Sequence, residues 1–228
     1  YSEVVINKDG IKSHDETIFK INKEYQPVLP SRQKDQEFAF DRGACQIGNS
    51  DASLMFTNVS AEKGVDNYVP EGLVEIKDKI KTKEDRNVCL TDETAIALKK
   101  LVDDASAEEL DIRVTSGFRD HGWQETLYAQ NQKEHGDEGT ESVAKPGHSE
   151  HQLGTTVDLT TLGIGEVSAS PVFEKTPEFE WLEKNAHKYG FIMSYPRGAD
   201  TGYIYEPWHW RYLGADIADD IRDSGKTI

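Results

Sequence analysis

The stretch GFIMSYPRGADTGYIYEPWHWRYLG, residues 190–214, decides the fold. Within it FIMSY (191–195) and GYIY (202–205) each carry the apolar and aromatic residues of a short strand. PRGADTG between them is a run of turn formers. A parallel pair needs a crossover of a dozen or more residues, usually a helix, and this connection is far too short for one. The expectation is two short antiparallel strands, the second running into Glu206.

Working upstream, Thr176 and Pro177 mark a helix start, Phe179, Leu182, Ala186 and Tyr189 follow the 3.6-residue period, and Gly190 stops it. Earlier, DIRVTSGF (111–118) puts Ile112 and Val114 on one face of a strand ending at Ser116-Gly117. A helix capped by Thr91 or Asp92 precedes it, with Ala95, Leu98, Val102 and Ala105 in period. Another follows it, with Trp123 and Leu127 one turn apart. Downstream, a last helix begins near 214 and carries Ile217 and Ile221. Helices on a sheet of short antiparallel strands give an α+β fold, a small central antiparallel sheet flanked by helices. VVINKDG (4–10) and FKINKEY (19–25) also read as strands closed by polar turns. Residues 1–66 are otherwise irregular and are expected to be an N-terminal extension packed on a catalytic body of 67–228.

With 228 residues the chain can bury a substantial core. Its net charge of −16 supplies no basic stripe for phosphates, so no nucleic-acid partner is expected. No apolar run approaches the roughly 20 residues of a membrane helix. The sequence opens on Tyr1 rather than methionine, as a chain trimmed of a signal or an anchor would. Cys45 and Cys89 are too few for a disulfide scaffold. They pair in an oxidising compartment or stand as two buried thiols, and neither has the C-x-x-C spacing of a metal or redox site.

Two segments carry chemistry. SEHQLGTTVD (149–158) and EPWHW (206–210) together offer two histidines, an aspartate and a spare glutamate. That is the inventory of a catalytic zinc site: three protein ligands, an open fourth position for water, and a carboxylate to take its proton. His151, Asp158 and His209 would hold one Zn²⁺ and Glu206 would be the base. Glu206 precedes Pro207, which disfavours the α region, so Glu206 and His209 belong to a turn after a strand, not to a helix interior. The interval from His151 to Asp158 suits a tight bend at Gly154 and a strand returning Asp158 to the metal. Either motif alone is common by chance. Trp208 and Trp210 read equally well as core aromatics, and Asp158 as a turn former.

A third segment, SGFRDHGWQ (116–124), changes the odds. With PGHSEHQLGTTVD (146–158) and GYIYEPWHWRYLG (202–214) it resembles, in order, the motifs of the VanY-type D-alanyl-D-alanine carboxypeptidases. INKEYQPVLPS (21–31) is similar to that family's lead-in. The resemblance implies a small α+β domain with the zinc ligands in a cleft on the sheet, and Glu206 as general base and later acid. It implies that Arg119 steadies the substrate's carbonyl oxygen or terminal carboxylate, with Ser149, Gln124 and Trp208 as further substrate contacts. Arg113, Arg197 and Arg211 compete for the arginine role by charge alone. His148 is the decoy beside the ligand segment, while His121 and His135 read as surface residues. Thr156 stands where the family usually has a small residue, and Ser194 where relatives often have arginine, a change expected to alter recognition of the substrate's end. Residues 32–66 look longer than the family needs, and could rim the cleft.

The function this implies is a monomeric, extracytoplasmic D,D-carboxypeptidase that trims D-Ala from peptidoglycan stem peptides, secreted or anchored at a bacterial cell surface. An L,D-carboxypeptidase acting on tetrapeptide stems and a D-Ala-D-Ala dipeptidase are the alternative enzymes. A wall-binding module with a vestigial site is the alternative of another class.

Overall fold

A computed structural model describes residues 40–46, 59, 64–65, 67–136, 141–164, 169–225 and 227, and the backbone of three N-terminal strands. Those strands, β1 (Val5–Asn7), β2 (Gly10–Lys12) and β3 (Ile18–Phe19), pair antiparallel. The expected strands at 4–10 and 19–25 are met over 5–7 and at Phe19. The remainder of the second stretch and the lead-in at 21–31 lie outside the described residues.

The body begins with an antiparallel pair, β4 (Leu73–Glu75) and β5 (Cys89–Thr91). Helix α1 (Asp92–Ala107) starts directly after β5, with Thr91 at its N-cap. The Thr91 hydroxyl sits 2.8 Å from that of Thr94 instead of capping the backbone. Its buried residues Ala95, Leu98, Val102 and Ala105 are those that the period marks, and Leu101 joins them. Strand β6 (Arg113–Ser116) leads to α2 (His121–His135), capped by the Asp120 side chain accepting from the Trp123 amide at 2.7 Å. Trp123 is exposed, and α2 buries Gln124 instead.

Next come β7 (Thr156–Thr160), then α3 (Pro177–Asn185), prolonged by a 3₁₀ turn over Ala186–Tyr189 that ends at Gly190. Strands β8 (Phe191–Met193) and β9 (His209–Tyr212) and helix α4 (Ala215–Ser224) close the chain. The four later strands form one antiparallel sheet in the order β6-β7-β9-β8. The expected α+β architecture is therefore observed, with the core lying between this sheet and helices α1 and α3. Leu98, Leu101, Val114, Leu159, Leu182 and Phe191 are all at most 1% exposed there.

One expected strand is absent. Residues 202–205 are an irregular crossing, and the strand that pairs with FIM is β9, beyond the turn. GYIY has the composition of a strand without a ladder to join. The Ile204 amide donates to the Glu141 carbonyl and the Glu206 amide to that of Tyr195, two different segments. Gly202 at φ +77° bends the chain at its start, and Pro207 follows at its end.

Candidate metal centre

The turn that replaces the missing strand is what delivers two candidate functional groups, Glu206 and His209, together. Pro207 occupies the second position of a tight turn, and the His209 amide donates back to the Glu206 carbonyl at 3.1 Å. Glu206 Oε2 thereby lies 3.4 Å from His209 Nδ1. On the other side, SEHQ folds into a 3₁₀ turn over Glu150–Leu153 closed by Gly154 at φ +69°. A Cβ on Gly154 would approach Leu73 Cδ2 and Pro70 Cγ to 3.0 Å, so the bend needs glycine for both conformation and room. β7 then carries Asp158 back, as the spacing predicts.

Strand register completes the set. Asp158 pairs with Ser116 of β6 and with His209 of β9, so the three lie in one row across the sheet. A bulge at Thr115 brings Ser116 into that row. His151 Nε2 and His209 Nδ1 lie 3.3 and 3.5 Å from the same oxygen, Asp158 Oδ1. Ligand atoms of His151, Asp158 and His209 all fall within 4.8 Å of one another, and all three residues are buried.

The hydrogen bonds behind the imidazoles fix which nitrogens face inward. His151 Nδ1 faces the Gly117 carbonyl at 2.7 Å, and a carbonyl only accepts, so Nε2 keeps its lone pair. His209 Nε2 faces the Glu150 carboxylate at 2.8 Å, which leaves Nδ1 free. Asp158 Oδ1 is buried with no hydrogen-bond partner. Two lone pairs and an orphaned carboxylate oxygen converging in a buried space fit a divalent cation, and N,N,O donors suit zinc.

The electrostatics agree. Burial works against a charged His209, yet the carboxylates of Asp158 and Glu150 beside it push it up to about 10, a measure of the pull on any cation at this point. Burial followed by the Arg119 charge lowers His151 to about 4, keeping the imidazole neutral, as a metal ligand would have to be. Burial opposes ionisation of Asp158, but the two imidazoles close to its Oδ1 outweigh burial and hold the carboxyl far below the usual range. Glu206 goes the other way: burial pushes it up to about 7, in the range a general base needs.

Arg119 follows β6 and lies 3.9 Å from Asp158 Oδ2. Its guanidinium donates from Nη1 to Ser116 Oγ at 3.2 Å and from Nε to Gln124 Oε1 at 3.1 Å. The Gln124 amide donates in turn to the Ala144 carbonyl, so Gln124 stands behind Arg119 and does not line the cavity. That cavity, about 360 Å³, is lined by Arg119, Ser149, Glu206 and Trp208 as well as the three candidate ligands. Trp208 also packs in the hydrophobic core, and Trp210 does so alone.

The competing arginines sort by geometry. Arg113 pairs with Asp111, and Arg197 pairs with Glu174 while lying over the Tyr205 ring at 4.2 Å. Arg211 is no surface residue: it is 1% exposed and bound to Glu150. The His148 carbonyl accepts from the Tyr203 hydroxyl, and its imidazole is not part of the cavity wall. Ser194 turns inward and donates to Glu150 Oε2 at 2.6 Å, away from the cavity. Thr156 is buried opposite Arg211 with its hydroxyl unbonded. Of residues 32–66, Phe40 packs on the core, the Val65 amide donates to the Gly147 carbonyl, and Gln46 donates to Asp120. Cys45 and Cys89 form a disulfide, which settles the open question about these cysteines.

Sequence reasoning missed Glu150 and Tyr195. Glu150 stands beside the candidate ligand His151 in SEHQ, and that position was the available signal. Tyr195 lies 4.6 Å, ring to ring, from His209, and nothing in FIMSY marks it.

Comparison with known proteins agrees with this geometry. Residues 87–215 match the family model described as VanY: D-alanyl-D-alanine carboxypeptidase. The putative carboxypeptidase YodJ of Bacillus subtilis (strain 168) is 34% identical over 171 residues, 71% of this chain and 60% of that protein, so the chain spans less than two thirds of that relative. Among solved structures, the LdcB LD-carboxypeptidase aligns with a TM-score of 0.71 at 30% identity, covering 85% of this chain and 94% of that one. A mutant of the vancomycin-resistance D,D-pentapeptidase VanY in complex with Zn(II) aligns with a TM-score of 0.60 at 25% identity, covering 76% and 96%. With the family model spanning more than half of its length and the motifs in place on the sheet, this chain belongs to the VanY family of D-alanyl-D-alanine carboxypeptidases.

Proposed function

We propose that the protein is a zinc-dependent D,D-carboxypeptidase that removes the C-terminal D-Ala from peptidoglycan stem peptides. The observation that carries this is the unpartnered Asp158 Oδ1, set between two imidazole lone pairs with the Glu206 carboxylate alongside. His151, Asp158 and His209 would hold one zinc ion. Zinc bound there would supply a Lewis acid that lowers the pKa of a bound water to about 7.

This chain's residues do the rest. Glu206 accepts the proton of the attacking water and returns it to the leaving amine, a role suited to a carboxyl raised to about 7. Arg119, propped by Gln124 and Ser116, presents donors to the developing oxyanion or to the substrate's terminal carboxylate, which its planar fork matches. Ser149 and Trp208 line the space for the leaving D-Ala. Residues 67–228 are the catalytic body and 1–66 an extension on it, supported by the disulfide, Gln46–Asp120 and Val65–Gly147. A disulfide suits an extracytoplasmic enzyme, secreted or anchored, that acts as a monomer on the wall and binds no nucleic acid. No helix among the described residues is long and apolar enough to cross a membrane.

The alignment with the LdcB LD-carboxypeptidase supports a second reading, an L,D-carboxypeptidase with the same residues in the same roles. The test is incubation with a muramyl pentapeptide and, separately, a tetrapeptide, with zinc and with chelator, the products followed by mass. Chelator-sensitive loss of one alanine from the pentapeptide alone is expected. Loss from the tetrapeptide alone would move the enzyme to the L,D class. Glu206→Gln should retain zinc and lose about 10²–10⁴-fold in kcat, the worth of a positioned proton carrier. Normal turnover by that variant would sink the mechanism.

A further inference from the structure

Behind the candidate ligand His209, a buried polar network surrounds Glu150, which is 2% exposed. Its Oε1 accepts from Arg211 Nη1 at 2.8 Å. Its Oε2 accepts from Ser194 Oγ at 2.6 Å and from His209 Nε2 at 2.8 Å. None of these contacts belongs to the reaction described above.

We propose that Glu150 is a positioning residue for metal binding: by holding the proton of His209 on Nε2, it keeps Nδ1 bare toward His151 and Asp158. The inference rests on the zinc reading. A cation can use His209 only while Nδ1 is unprotonated, and two carboxylates compete to keep a proton there. Asp158 Oδ1 is 3.5 Å from Nδ1 and Glu206 Oε2 is 3.4 Å away. With the proton on Nδ1 the third ligand would be lost. Glu150 prevails through a shorter contact in a site where water is no alternative acceptor. Arg211 supplies the countercharge that lets a carboxylate sit at this depth, and Ser194 fixes the oxygen that faces the ring. His151 needs no such device, because its Nδ1 faces a backbone carbonyl.

The geometry makes a specific demand of an amide at this position. In Glu150→Gln, Arg211 still requires an oxygen on its side, so the NH₂ falls toward His209 Nε2, a donor against a donor. The ring must then accept at Nε2 and carry its proton on Nδ1. Such outer partners typically tune metal affinity about 10–100-fold, and E150Q should lose zinc affinity by that factor, measured by competition with a chromophoric chelator.

Two charge-neutral double variants carry the test should E150Q fail to fold. In E150Q/R211Q the carboxamide is free to turn its oxygen to His209, so zinc affinity should return to within about tenfold of the parent. E150M/R211M fills the space with no acceptor and should bind zinc about 10–100-fold more weakly than E150Q/R211Q. In the zinc-loaded parent and in E150Q/R211Q, ¹⁵N NMR should show His209 protonated at Nε2 and metal-bound through Nδ1. Equal zinc affinity of the two double variants, or His209 bound through Nε2 in the parent, would overturn the role of Glu150 while leaving the metal site standing. A parent that binds no zinc would remove the metal reading and this inference together.

Discussion

The two walls of the cavity are built by different means. The ligand wall, which carries the three candidate ligands on β7, β9 and the turn before β7, positions its groups mainly by strand register. Asp158 stands opposite His209 in a ladder, and both histidines are at most 4% exposed. The arginine wall, running from the end of β6 into α2, is held by side chains and one crosslink. Arg119 leans on Ser116 and Gln124, Asp120 is bound to Gln46, and the Cys45–Cys89 disulfide fastens residues 40–46 to β5. The Gly117 turn packs so closely on β5 that a Cβ there would lie 2.8 Å from the Cys89 carbonyl oxygen. A ladder gives a ligand set little tolerance, whereas a propped side chain can be tuned.

Damage to the ligand wall should abolish metal binding and turnover together, and damage to the arginine wall should spare the metal. The largest effect is expected from Asp158→Asn or from chelation. Either should cut turnover by at least about 10³-fold, the several kcal/mol of charge stabilisation a metal provides. Added zinc should restore the chelated parent and not the variant. A D158N protein that binds zinc normally by equilibrium dialysis would break the comparison at its firm side.

Arg119→Met should lose about 10²–10³-fold in kcat/KM with zinc content unchanged, and Arg119→Lys should recover only part, because lysine lacks the planar fork. Steady-state kinetics beside metal analysis decides this, and loss of zinc in R119M would merge the two walls. Gln124→Met should cost less, about tenfold in kcat/KM, since it removes one hydrogen bond to a charged group and leaves Arg119 in place. A KM-dominated loss would mark a substrate-holding role for the propped arginine.

The smallest effect on turnover is expected from removing the crosslink. Cys45→Ala/Cys89→Ala opens a closure across 44 residues, worth about 4 kcal/mol in the unfolded chain. Thermal melting should show that loss, while zinc affinity should stay within about twofold, because no ligand sits on the fastened segment. A zinc affinity that drops with the disulfide would show that the crosslink also sets the ligand wall.

The ligand wall was legible in the sequence and the arginine wall only in part. His151, Asp158, Glu206 and His209, which the structure brings together, stand out because a metal site would restrict residue type and the Gly154 bend and Pro207 turn restrict spacing. Arg119 emerged from a motif, not from physics, since charge alone left three other arginines in contention. The supports were hidden. Gln124 looks like one more polar residue on a helix until its two hydrogen bonds are seen, and no local rule tells a crosslinked cysteine from a buried one. GYIY shows the opposite failure: its strand composition is real, but pairing depends on a neighbour, and the sequence does not say that Glu141 takes the Ile204 amide and Tyr195 that of Glu206 just beyond. Glu150 was overlooked because a buried glutamate earns its place only through Arg211, Ser194 and His209, which lie 44 to 61 positions away.

The pairing of Asp158 with His209 has a consequence for how the chain comes to its final form. A strand slipped by one residue turns every side chain to the opposite face. A molecule in which β7 met β9 out of step would present Asp158 away from both histidines and would lack the third donor of a zinc site. Binding free energy would accrue only to molecules whose strands are correctly aligned, so the ion would act as a proofreader of the sheet before any substrate arrives.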